Sequence, residues 1–212
     1  MTKISKVDKL EPPLYLYVYD ILCDPTLISW LLYEDPSMRA AQRLVDQKIW
    51  PAYIVGFKRI FKARNSRFGL VLTLEYTGSR TDEVWGAVIE VDSQEELDKL
   101  LQVYDRDRIE YYYIEDVYYP DGSVSEGYFI KPISENVEIE LPHCLYMSRL
   151  CTASNFWDRR VRGYKWKFFK NLYGKDNIPI LATSCRCFIT DYAGNEQEIQ
   201  CNCEPDGLSC RI

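Results

Sequence analysis

Histidine is the scarcest useful residue here: one, His143, in 212 positions. A His-rich metal motif is therefore absent. His143 and Cys144 are neighbours that would point apart on a strand, so they do not make a Cys-His nucleophile pair. A Ser-His-Asp triad using His143 stays open, though no G-x-S-x-G elbow accompanies it. His143 reads as a structural or surface residue. A phosphate loop and a dinucleotide fingerprint are also missing, which removes the common nucleotide-binding designs. No internal repeat or low-complexity tract occurs, so neither a solenoid nor a disordered array is expected. No apolar run reaches about 18 residues, so no membrane span is expected. The N-terminus, Met1 to Lys9, is charged and lacks the apolar core of a secretory signal. A cytoplasmic location follows as the expectation, with eight cysteines held reduced. Basic charge is not in excess: 26 Lys and Arg against 32 Asp and Glu give −6, which argues against a general nucleic-acid role.

What is present is the composition of a folded protein. Hydrophobic residues make up 47%, and seventeen tyrosines with eight phenylalanines favour strands and pocket walls. The most informative stretch is Leu16 to Leu27. A strand ending at Val18 and Tyr19 runs into a polar turn, Asp20 to Cys23. Asp24-Pro25 then supplies a helix N-cap with proline at the first position, ahead of an apolar stripe at Leu27, Ile28, Leu31 and Leu32. Further strands are read at residues 52–61, 68–75 and 84–91. Ser93 with Glu96 opens a helix carrying Leu97, Leu100 and Leu101. Residues 111–119 form a tyrosine-rich strand that turns at Pro120-Asp121-Gly122 and returns through 127–130 as a hairpin.

This order of motifs resembles the gamma-glutamyl cyclotransferase-like family. Tyr19, Leu22, Asp24, Pro25 and Leu27 match its first strand, turn and helix. Pro51, Ala52 and Gly56 match its "PA-x-x-x-G" strand, and Val84, Gly86 and Val91 its "V-x-G-x-x-x-x-V" strand. The resemblance spans roughly residues 14–132. It implies an α+β fold: a small mixed β-barrel with flanking helices, here with a C-terminal helix and β-hairpin added. The corresponding division is an N-terminal tail at 1–13, a barrel at 14–135 and an extension at 136–212 packed on the barrel.

The resemblance also implies a site. The turn after the first strand would offer backbone N–H groups to a substrate carboxylate, and a carboxyl residue after the later helix would serve as general acid and base in releasing 5-oxoproline. Here Tyr19, Ile21, Leu22, Cys23 and Tyr111 would contact the substrate. The acid position falls on Asp105, within Gln102-Val-Tyr-Asp-Arg-Asp-Arg108, with Asp107 and Glu110 as substitutes if the loop is shifted. Asp20 stands where the family has glycine and Ile21 where it has a hydroxyl. A carboxylate at Asp20 would repel a substrate carboxylate. Asp20 and Asp105 could instead form a pair with separated pKa values, giving and taking a proton in a cyclisation, isomerisation or elimination on a small molecule. A true gamma-glutamyl amine cyclotransferase and a catalytically silent binding protein are the alternatives. The bland reading of both acids is a turn cap and a solvated loop. No cofactor, nucleic acid or membrane is expected as a partner, only a small-molecule substrate.

The tail has two patterns. In residues 157–175 cations interleave with aromatics, which suits either single-stranded nucleic acid or an amphipathic helix docked on the barrel; the negative whole favours the helix. Cys185, Cys187, Cys201 and Cys203 would face in pairs, 185 with 203 and 187 with 201, across a hairpin over 180–203. That permits a four-thiolate zinc site, but thiols without metal are the expectation.

Overall fold

The computed structural model describes residues 3–135, 142–170, 172–173, 184–190, 196–204 and 207–211, the last four stretches by their backbone. In chain order the N-terminal elements are β1 (Ile4–Val7), β2 (Leu14–Val18), α1 (Pro25–Tyr33), α2 (Met38–Gln47), β3 (Ile49–Val55) and β4 (Phe57–Asn65). The middle holds β5 (Gly69–Tyr76), β6 (Glu83–Val91), α3 (Gln94–Leu101), β7 (Ile109–Tyr118) and β8 (Val124–Pro132). α4 (Cys144–Asp158), α5 (Tyr164–Lys170), β9 (Leu172–Tyr173), β10 (Ser184–Thr190), β11 (Glu196–Glu204) and β12 (Gly207–Arg211) follow.

The main sheet runs β1-β7-β3-β6-β2-β8. β8 also pairs with β7, and β7 meets β3 at Tyr53 and Tyr118, so the order returns on itself as a small mixed barrel. The β2–β8 pair is parallel and the others are antiparallel. The architecture is α+β, as the motif order implied. Local chemistry starts the helices where expected. Asp24 Oδ1 accepts from Thr26 N at 3.0 Å ahead of Pro25, and Ser93 caps α3 by accepting from Glu96 N.

Two strand readings change. The single strand expected over 52–61 is split at Gly56, whose φ of +88° is one that side-chain-bearing residues avoid. β4 then leaves the barrel and pairs with β5 and β9 in a sheet of its own. The N-terminal segment contributes β1, which extends the main sheet along β7.

The basic aromatic segment takes the amphipathic form. Trp157, Tyr164 and Phe168 are buried in the same core as Leu16, Val88 and Leu100. Their polar ends find partners: Trp157 Nε1 donates to the Cys23 carbonyl at 2.9 Å and Tyr164 OH to the Gly86 carbonyl at 2.7 Å. Cations cover the outer rings, Lys167 over Trp85 and Arg160 over Phe156, while Trp166 stays exposed.

The cysteine strands form an antiparallel pair, but the register differs from the one expected by two residues. Cys185 is opposite Cys201, Cys187 is opposite Ile199, and a third strand places Cys210 opposite Cys201 and Leu208 opposite Cys203. The anticipated facing pairs of 185 with 203 and 187 with 201 are therefore not formed. Cys151 is disulfide-bonded, so the expectation of eight reduced thiols also fails. No described helix is long and apolar enough to cross a membrane.

Candidate functional site

The turn after β2 is closed by its own polar groups. Asp20 caps a single 3₁₀ turn, Ile21–Cys23, with Oδ1 accepting from Leu22 N at 3.0 Å. Cys23 N donates to the Asp20 carbonyl and Asp24 N to the Ile21 carbonyl. Tyr19, Asp20, Ile21, Leu22 and Cys23 are all buried, held by apolar neighbours and by Tyr19 OH donating to the Ile130 carbonyl at 2.9 Å. The predicted substrate-contacting residues of this turn thus stand together. Tyr111 lies on β7 opposite Ile130, half-buried against the same core.

A carboxyl group in such a place needs partners. Asp20 Oδ2 accepts from Tyr104 OH at 2.6 Å, joining the turn to the loop after α3 across 84 positions of sequence. Burial pushes the Asp20 carboxyl above its ordinary value, opposed by the Tyr104 and Leu22 hydrogen bonds and by the charge of Arg59. Burial, and then the Asp20 charge, push the Tyr104 phenol well up. Arg59 is wholly buried beside them. Its Nη1 donates to the Tyr19 carbonyl at 3.1 Å and its guanidinium carbon lies 4.1 Å from the Phe168 ring centre, while Nε and Nη2 have no hydrogen-bond partner among the described residues.

Asp105 follows Tyr104 in the chain but turns elsewhere. Its two oxygens accept from Ser66 N at 2.7 Å and Ser66 Oγ at 2.6 Å, clasping the β4–β5 turn. Asn65 Nδ2 adds a bond to the Val103 carbonyl at 3.1 Å. Glu110 is engaged by Lys6 and Tyr112, whose bonds pull its carboxyl below its ordinary value, and Asp107 is exposed on the surface. The geometry therefore pairs Asp20 with Tyr104, and Asp105 with a hairpin tip.

These contacts shape a cleft of about 400 Å³. Its lining includes Ile21 and Val103, the chain neighbours of Asp20 and Tyr104. Leu27 and Trp30 of α1, Phe68 at the hairpin tip and Leu145 of α4 supply apolar walls. Arg67 and Arg149 supply charge, and Arg149 Nη1 donates to Asp24 Oδ2 at 3.0 Å. Among the described residues no three His, Cys, Asp or Glu are grouped to hold a metal.

Reading the sequence for carboxylates alone passes over Tyr104, Arg59, Arg67 and Arg149. For Arg59 a signal existed. It sits between Phe57 and Phe61 on the inward alternation of a strand, where a cation demands a reason.

No protein-family model matches the chain, and no curated protein does. Several solved structures are similar to it. One is an uncharacterized Homo sapiens protein, 16% identical over 78% of this chain and 90% of that one, with a TM-score of 0.47. Another is a gamma-glutamyl cyclotransferase, 18% identical over 77% and 89%, with a TM-score of 0.48. A third is an Arabidopsis thaliana protein, 20% identical over 63% and 76%, with a TM-score of 0.38. The second of these carries the name of the family that the motifs of residues 14–132 resemble.

Proposed function

We propose that this chain is a diverged gamma-glutamyl cyclotransferase-like enzyme that performs general acid–base chemistry on a small molecule held in the cleft. One observation carries the reading: a buried carboxyl, Asp20, bonded to a phenol, Tyr104, with the next residue after Asp20 and the one before Tyr104 lining the cleft. A carboxyl raised by burial keeps its proton closer to neutrality and can both give and take it, as a cyclisation, isomerisation or elimination requires. Asp20 is accordingly the working carboxyl. Asp105, with both oxygens taken by Ser66, serves to position the loop that carries Tyr104.

The same contacts argue against ordinary gamma-glutamyl amino acids as substrates. Leu22 N, a donor the turn would offer to a substrate carboxylate, already serves Asp20 Oδ1. A panel of gamma-glutamyl amino acids, with 5-oxoproline measured by mass spectrometry, is expected to yield little or no product. Robust release abolished by Asp105→Asn and untouched by Asp20→Asn would return the chain to the ordinary reaction and remove the present assignment. A second reading, a silent binding protein, is favoured by the sealing of Asp20 at 2% exposure. Under it the cleft keeps its ligand and Asp20→Asn changes no turnover of any compound.

A further inference from the structure

We propose that the cleft selects a small organic anion with an apolar or aromatic body, its acid group held at Arg67 and Arg149 on the rim. This rests on the cleft being the ligand site, as in the reading above, and adds the chemical class of the ligand.

The charge balance of the lining is the first reason. Among the described residues, two guanidiniums and no carboxylate line the cleft. Arg67 has no acidic partner among the described residues; its guanidinium carbon lies 5.5 Å from the Phe68 ring centre, which keeps the head beside the apolar wall. Among the described residues Arg149 is partnered by Asp24 through Nη1 alone, and the other donors of its fork can meet a second acceptor. Shape is the second reason. Trp30 and Leu145 are 45% and 61% exposed, large apolar surfaces left open to water beside this opening, with Leu27 and Phe68 completing the wall. A cleft of about 400 Å³ is of small-molecule size. The rigidity of the rim is the third reason. Arg67 rides on a hairpin tip tied down by Asp105 and Asn65, so the backbone that carries it is held before a ligand arrives.

The turn's own donor at Leu22 is occupied by Asp20, so an acid group entering here finds its positive charge at the arginines. A neutral ligand of the same shape would keep the apolar contacts and lose the charged ones. An amine would be repelled.

The test uses three probes of one shape, 4-phenylbutyrate, 4-phenylbutyramide and 4-phenylbutylamine, with acetate as an anion lacking the body. Binding to the full chain is read by isothermal titration and by Trp30 fluorescence, assigned by difference against Trp30→Phe. Phenylbutyrate is expected to bind about tenfold more tightly than the amide, with the amine and acetate weaker still. Arg67→Gln, at an exposed tip, should remove most of that preference, weakening binding of the acid much more than binding of the amide. Equal affinity for acid and amide, or a preference untouched by Arg67→Gln and by Arg149→Gln, overturns the proposal. The readout is binding, so it is separate from the enzymatic reading. Charge-selective binding with no turnover of any anion would remove the enzyme and leave this inference standing.

Discussion

Replacing Asp20 by Asn tests the electrostatics on which the site depends. Asp20 is 2% exposed, and burial outweighs the hydrogen bonds from Tyr104 and Leu22 in setting its proton affinity. A folded-state pKa above the unfolded one means that the native protein holds this proton more tightly than the unfolded chain does. Stability from the protonated form is complete below the unfolded value, near 3.8, and is lost as pH rises toward the raised folded value. Each pH unit of that window removes about 1.4 kcal/mol, or roughly 3–6 °C of Tm for a chain of this size. Asn does not titrate there. Its carbonyl can accept from Leu22 N and its amide can donate to the Tyr104 oxygen, so the constant offset stays within about 1 kcal/mol. The wild type should therefore fall behind Asp20→Asn progressively as pH rises from 4, and the gap should level off once Asp20 is ionised in both states. Urea denaturation at half-unit steps from pH 4 to 8 measures this. Parallel curves, or a variant that loses ground as pH rises, would refute the raised pKa and with it the general-acid role.

Arg59→Met should be close to neutral, within about 1.5 kcal/mol, because a buried guanidinium with two unpartnered donors returns little for its desolvation; a loss above about 3 kcal/mol in denaturant unfolding would show that its field, or an unseen partner, holds the core together. Gly86→Ala should abolish folding, since an added Cβ would sit 2.0 Å from the Val18 carbonyl oxygen; a soluble variant with native circular dichroism would contradict that packing.

What the residues determined unaided was local. Asp24 ahead of Pro25 and Ser93 ahead of α3 cap their helices through donors two or three positions away, and Asp121 closes the β7–β8 turn by accepting from Ser123 N. Such bonds form whatever the rest of the chain does, which is why these boundaries could be read directly. The motif order of residues 14–132 likewise told of a barrel with helices. The site was another matter. Asp20 and Asp105 could be picked out as acids and read as a possible pair, but their partners are other residues, 84 and 39 positions away. Which carboxyl meets a phenol and which clasps a hairpin tip is decided by how strands pack. Gly56 shows the same limit: its apolar flanks read as one strand, and only the sheet's need to divide there exposed the positive φ. The cysteine strands show it most plainly. An alternating pattern is unchanged by a slip of two residues, so every facing partner was open until the tertiary structure chose the register.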